Sequence, residues 1–261
     1  MFDFLKNKKK VALALGGGSA RGIAHIGVLK VLEREKIPID MVVGTSMGAL
    51  IGAGYSVGIS TAVMEEKACK YSANKLLDPT IPTMGLIAGE KVEAAIRDLV
   101  DNGTFADCRI PLAVITTNIE TGEEVLYQSG DLIKIIRASC SWPGIFNPVR
   151  MDGKLLVDGG IKNSVPTKIA RALGADYVVA VDVGFCIKEG TIKNIFQMIL
   201  QSFQITGEEL NKYQSIDADC IIKVDLGHID QAAFDKAKDS IRLGAAAAEA
   251  MIPQLKKDLR M

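Results

Sequence analysis

The chain reads as an α/β protein: a mostly parallel sheet with helices on both faces. Short β-rich apolar runs alternate with segments of helical period along most of the chain. Glycine-rich turns stand directly after the first two of those runs. No repeat, low-complexity tract or linker-like break interrupts the pattern. Residues 10–261 are therefore expected to form one domain behind a short tail, residues 1–9.

Val11–Leu15 is the first strand. Lys6, Lys8, Lys9 and Lys10 before it mimic a secretory leader, but the apolar stretch ends at Gly16-Gly17-Gly18 and is shorter than the ~7–15 residues such a leader needs. Residues 21–35 follow as a helix with Ile23, Ile26, Leu29 and Leu32 on one face. Residues 41–43 are a strand and 47–57 a helix. Residues 90–100 form a helix with Lys91, Glu93 and Arg97 on its wet side. Strands are expected at 112–117 and 123–128, a helix at 131–139, and a strand at 155–157. Pro166 opens a helix to residue 173, with Gly174 as its C-cap. Residues 177–183 and 220–224 are the last strands. Long helices fill 192–213 and 231–259, the second kinked or broken at Pro253.

Composition excludes several classes. Lys+Arg and Asp+Glu both number 31, so the chain lacks the basic excess of a nucleic-acid binder. No apolar run approaches the ~18 residues of a membrane span. The five cysteines are scattered and never form C-x-x-C, which fits neither a zinc site nor a disulfide framework and suggests a reducing, cytoplasmic setting. Phe2, Phe4 and Leu5 beside the lysines offer a local membrane patch at the inner membrane surface, although a frayed tail explains them better.

In an α/β sheet of this kind, sites lie at the carboxyl ends of strands. The first glycine turn there is Gly16-Gly17-Gly18-Ser19-Ala20-Arg21-Gly22, whose backbone N–H groups could converge on an anion. Arg21 stands where G-x-G-x-x-G requires glycine and no Lys-Ser/Thr follows, so dinucleotide and Walker A readings are weak. Arg21 could instead add charge or anchor an anionic head group. The second turn, Gly44-Thr45-Ser46-Met47-Gly48, is a G-x-S-x-G between a strand and a helix, the setting of a nucleophile elbow. Its serine needs so sharp a turn that side chains two residues away would clash, hence Gly44 and Gly48. A glycine loop after the adjacent strand would supply donors for the oxyanion.

Two bases are compatible with the spacing. Ser46, Asp158 and His228 stand in the chain order of an α/β-hydrolase triad. In the rival arrangement Asp158, in Val157-Asp158-Gly159-Gly160, takes the serine proton itself, which requires desolvation to raise its pKa. His25, one helical turn past Arg21, reads as a packed helix residue.

Four blocks resemble the patatin-like phospholipases, specifically the compact bacterial proteins similar to the neuropathy-target-esterase catalytic domain. They are Gly16-Gly17-Gly18-Ser-Ala-Arg21-Gly22-Ile-Ala-His25, Gly44-Thr-Ser46-Met-Gly48, Ala138-Ser-Cys-Ser-Trp-Pro143-Gly-Ile-Phe146-Asn-Pro148, and Asp158-Gly159-Gly160. The resemblance covers about residues 10–165. It implies a three-layer α/β/α sandwich and a serine–aspartate dyad of Ser46 and Asp158. It also implies an oxyanion hole from the Gly16–Gly18 loop with Arg21 and Met47, and no cofactor or metal. The implied substrates are carboxylic esters of phospholipids, lysophospholipids or other lipids; the competing class is a weakly active or non-enzymatic adaptor on the same fold. Residues 79–89 resemble a lid with glycine hinges, or else an ordinary connection. Phe196, Met198, Ile199, Leu200 and Phe203 are expected to pack in the core or to form a dimer or lipid surface. Nothing in the sequence supports a particular oligomer.

Overall fold

The computed structural model describes residues 8–81, 84–184, 192, 195–214 and 217–261. The basic tail expected to touch membrane, apart from Lys8 and Lys9, lies outside the described residues, as does Cys186. In chain order the elements are β1 (Val11–Leu15), α1 (Ala24–Arg34), β2 (Met41–Thr45), α2 (Met47–Val57), α3 (Thr61–Ala68), α4 (Ala73–Leu76), β3 (Gly85–Ile87), α5 (Glu90–Leu99), β4 (Leu112–Asn118), β5 (Glu123–Tyr127), α6 (Leu132–Ser139), β6 (Gly144–Phe146), β7 (Val149–Met151), β8 (Lys154–Asp158), α7 (Thr167–Ala172), β9 (Tyr177–Asp182), α8 (Ile195–Gln214), β10 (Cys220–Lys223) and α9 (Ala237–Leu259).

The main sheet has the order β10-β9-β1-β2-β4-β8-β7, with β5 on the free edge of β4. Strands β10 to β4 are all parallel, and β5, β7 and β8 are antiparallel additions. Side chains alternate across the sheet. Val11, Leu13 and Leu15 face a large core containing residues of α1, α2, α6 and α9. Ala12, Ala14, Met41 and Val43 face a smaller core closed by Ala170 and Ile169 of α7. This is a three-layer α/β/α arrangement.

One junction positions the site. Strand β2 pairs β4 up to Thr45 opposite Ile115. The next residue of β4, Thr116, pairs with Asp158, the last residue of β8. Because β5 occupies the other edge of β4 over the same residues, β2 and β8 share one edge. They run in opposite directions and meet end to end. The residue after β2 is Ser46 and the end of β8 is Asp158, so register alone brings the two together.

Helix α1 crosses α9 at glycine. A Cβ on Gly27 would lie 1.9 Å from the Ile241 carbonyl oxygen, and one on Gly244 would lie 2.0 Å from that of Ala24. Gly27→Ala should gain about 1 kcal/mol of helix propensity but force the helices apart at a cost of about 3 kcal/mol. A denaturant midpoint clearly below wild type at unchanged m is the expected result; an equal or higher midpoint would show that the helices separate freely. Helix α9 runs through Pro253 without the break that was one of the two expected outcomes there. The Glu249 carbonyl, which an N–H at position 253 would otherwise reach, belongs to an exposed residue. The three-residue strands β3 and β6 form a separate parallel pair.

Candidate active site

Ser46 sits at φ 54°, ψ −124°, a left-handed-side backbone that side chains rarely adopt and that costs about 1–3 kcal/mol. Its surroundings enforce it. The Ser46 N–H donates to Ser139 Oγ (2.8 Å), and that hydroxyl donates to the Ile115 carbonyl (2.7 Å). Ser139 thus ties the elbow to β4. Gly44 and Gly48 behave as the elbow requires: a Cβ on Gly48 would be 2.2 Å from the Leu15 oxygen, and one on Gly44 2.5 Å from Ala49 Cα.

Asp158 is buried beside it. Its backbone N–H donates to Ser141 O (2.9 Å), and its Oδ1 accepts from Gly160 N (2.7 Å) in the tight turn Gly159–Ile161. The Ser46 hydroxyl and the Trp142 indole N–H lie on the carboxyl group and favour its charged form. Oδ2 nonetheless lacks a hydrogen bond of good geometry, as is common before substrate binds. Burial outweighs these donors and pushes the Asp158 carboxyl up to about 7. Cys140 also contacts Ser46, and burial pushes its thiol up to about 12, which leaves it protonated.

The glycine loop divides into committed and uncommitted donors. Gly16 N donates to Val181 O (3.1 Å) and Gly17 N to Ser164 O (3.0 Å). The N–H groups of Gly18 and Met47 have no acceptor among the described residues. Arg21 departs from expectation. Its backbone N–H donates to Gly18 O (3.0 Å), and its guanidinium is fully buried, donating to Ile229 O (2.7 Å) and Gly184 O (3.2 Å). These bonds brace the turns after β9 and β10, and the side chain lines neither of the cavities described below.

The histidines separate clearly. His25 is buried, its Nε2–H donating to Gly16 O (2.8 Å), and burial lowers its pKa to about 4. It is neutral and holds the loop from behind, a packed helix residue as expected. His228 is exposed in the turn after β10 and borders neither cavity.

Ser46 and Trp142 border two cavities, each of about 210 Å³. The first is almost wholly apolar, walled by Met47, Leu50, Ile87, Leu99, Ile145 and Phe146. The second holds Gly17, Gly18, Asp158 and Gly160 on one side, and Ser202, Phe203 and Thr206 of α8 on the other. No cluster of metal-ligating side chains occurs among the described residues.

Residues 13–171 match the family model for patatin-like phospholipase. The chain belongs to the patatin-like phospholipase family. It is 41% identical over 182 residues to a patatin-like phospholipase domain-containing protein of Caenorhabditis elegans and 37% identical over 182 residues to human patatin-like phospholipase domain-containing protein 6. An NTE family protein of Mycobacterium tuberculosis is 37% identical over 176 residues. Each match covers 67% of this chain, but only 14%, 13% and 49% of those relatives. Among solved structures, the patatin-like fold matches VipD from Legionella pneumophila (TM-score 0.56, 14% identity, 95% of this chain and 67% of that one). It also matches the type III effector ExoU (TM-score 0.54, 13% identity, 96% of this chain and 54% of that one). The family model covers the glycine loop, the elbow and Asp158.

Proposed function

We propose that residues 10–261 act as one domain, a serine esterase or lipid acyl hydrolase that works through a Ser46–Asp158 dyad and an acyl-enzyme. One observation carries this reading: the nucleophile elbow, on the wall of an apolar cavity, meets a buried carboxylate of raised pKa, and neither histidine borders either cavity. Family membership and the relatives' names support a carboxylic ester of a lipid as substrate, with phospholipids and lysophospholipids the leading classes.

The acyl chain occupies the apolar cavity, and the alcohol side lies in the second. Ser46 Oγ attacks the ester carbonyl while Asp158 takes its proton directly. Gly18 and Met47 donate N–H bonds to the carbonyl oxygen as it gains charge. This is the oxyanion hole expected at Gly16–Gly18, narrowed to the donors not already spent. The tetrahedral adduct collapses as Asp158 returns the proton to the departing alkoxide, leaving acyl-Ser46 and a free alcohol. Asp158 then takes a proton from water, whose oxygen attacks the acyl carbonyl. The proton passes to Ser46 Oγ as the C–O bond breaks and the carboxylic acid leaves. No step calls on a cofactor, and no contact with nucleic acid is invoked.

A fluorophosphonate probe with intact-mass readout tests this. Labelling should occur at Ser46, disappear in Ser46→Ala and Asp158→Asn, and persist in His228→Ala. Loss of labelling in a folded His228→Ala protein would establish the triad, and a folded wild type that never labels would favour the adaptor.

A further inference from the structure

The block from Ala138 to Pro148 stands out in the sequence yet supplies no reacting group. At the end of α6 it hydrogen-bonds to both members of the dyad. Ser139 Oγ accepts from the Ser46 N–H (2.8 Å) and donates to the Ile115 carbonyl (2.7 Å). Ser141 O accepts from the Asp158 N–H (2.9 Å). The two serines use their hydroxyls differently. Ser141 Oγ donates back to Arg137 O (2.7 Å), a local bond open to any serine near a helix end, and accepts from the Arg137 guanidinium. Ser139 donates across to a strand instead. All of these residues are buried.

The Ile115 carbonyl serves both sides of the site. It accepts from Ser139, and a Cβ on Gly159, beside Asp158, would lie 2.5 Å from it. Ile115 stands opposite Thr45 at the end of β2, and Thr116 stands opposite Asp158. Strand register thus brings the two ends together, but it stops at Thr45. Beyond that point the Ser46 N–H is held by Ser139, and the Ser46 carbonyl accepts from Leu50 N (3.1 Å). These two bonds hold Ser46 at φ 54°, ψ −124°. That backbone sets where Oγ stands relative to Asp158 and which way the Met47 N–H points. Such strain persists only while the surroundings enforce it, and a misplacement of about 1 Å can cost about 10²-fold in rate.

The other stretches that stand out in the sequence hold different ground. Residues 79–89 end in an anchored connection and not a hinge: Ala88 O and Gly89 O accept from Arg137 (2.8 and 2.9 Å). Ile199 and Phe203 of α8 pack against Ile87, Trp142 and Ile145, as the core reading anticipates, and Met198 is exposed. The side chains of Phe196 and Leu200 lie outside the described residues.

We propose that Ser139 is a positioning residue for the dyad, its hydroxyl bridging the Ser46 N–H to the Ile115 carbonyl so that the nucleophile meets Asp158 and the oxyanion donors in register. It acts through Ser46 and not on substrate, since Ser139 lines neither cavity. Its effect on rate rests on the hydrolase reading above; its hold on the elbow does not.

The test compares Ser139→Ala and Ser139→Thr with wild type in the full chain, counting active sites by the end-point of fluorophosphonate labelling. Folded Ser139→Ala should label to the same end-point, but with a labelling rate and a kcat about 10²-fold lower. Its affinity for an unreactive ether analogue of the ester should stay within about twofold of wild type. Ser139→Thr keeps the hydroxyl and should recover most of the rate. Should Ser139→Ala not fold, Ser139→Cys, close in shape but a weak donor, carries the same expectation. A wild-type rate per labelled site, whether or not the end-point falls, would make Ser139 purely structural and overturn the proposal. So would a folded Ser139→Thr as slow as Ser139→Ala. A wild type that hydrolyses no ester would overturn the hydrolase reading alone. The hold on the elbow is then read by hydrogen exchange: the Ser46 amide should exchange about tenfold faster or more in Ser139→Ala, and an unchanged rate would overturn that hold.

Discussion

Asp158→Asn should cut ester hydrolysis by about 10³-fold, within the range a positioned base contributes, and yet raise stability above neutral pH. Both effects have one cause. Burial lifts the Asp158 carboxyl to about 7 in the folded chain, against about 3.9 for an unfolded aspartate. Between those values the native state binds more protons than the unfolded state, so stability falls as pH rises from about 4 through 7. At pH 8 the full cost of holding the buried charge is present, of the order of a few kcal/mol. Asparagine keeps the acceptor for Gly160 N and removes the charge, but points its amide donors towards Ser46 and the Trp142 N–H, which offsets part of the gain. The variant should therefore melt above wild type at pH 8 and lose that advantage by pH 4. In wild type, kcat/KM for a neutral ester should rise about tenfold per pH unit below 7 and level off above it. A profile flat through pH 7, or an Asp158→Asn protein keeping more than a tenth of the activity, would move the base elsewhere.

What the sequence made legible was local chemistry. The elbow serine, its flanking glycines and the first two strands announce themselves because strand, turn and helix signals fall within eight residues of each other. Spacing alone leaves Asp158 level with His228, and only the resemblance favours Asp158. The nearness of Asp158 to Ser46 depends on β8 running antiparallel and ending against the end of β2, and strand direction leaves no mark in a five-residue apolar run. The spending of the Gly16 and Gly17 donors was hidden for a related reason: their acceptors, Val181 and Ser164, are supplied by chain about 150 residues away. Arg21 misled because an arginine beside a glycine loop looks like an anion ligand until the carbonyls of Gly184 and Ile229 are seen around it. Ser139 stood in one of the resembling blocks without a role, since a serine at a helix end carries no sign of what it holds.

Arg137→Met should cost about 3 kcal/mol and change which esters the protein accepts. The guanidinium of Arg137 is nearly buried. It donates to the carbonyls of Gly89, Ala88 and Asn147 (2.9, 2.8 and 3.2 Å) and to Ser141 Oγ, and it stands 5.4 Å from the centre of the Phe146 ring. Burial lowers its pKa, opposed by the charges of Asp78 and Glu93, but an arginine stays protonated in any such setting. Removing a buried cation relieves desolvation. Here, however, methionine fills the space of the stem and leaves the carbonyls of Ala88 and Asn147 without donors, each worth about 1–3 kcal/mol where water cannot replace the guanidinium, while Gly89 O keeps only the Glu93 N–H (3.0 Å). Loss should win. Arg137→Lys should rescue little, because one ammonium cannot serve carbonyls spread around a planar fork. The functional consequence follows from what the clamp holds. Ala88 and Gly89 follow β3 and Asn147 follows β6, so Arg137 fastens the β3–β6 pair that carries Ile87, Ile145 and Phe146 into the apolar cavity. Loosening that wall should lower kcat/KM for long-chain esters several-fold more than for acetate esters, while fluorophosphonate labelling of Ser46 persists. If Arg137→Lys matched wild type, or if both chain lengths fell together, Arg137 would be a stability residue with no hold on the acyl pocket.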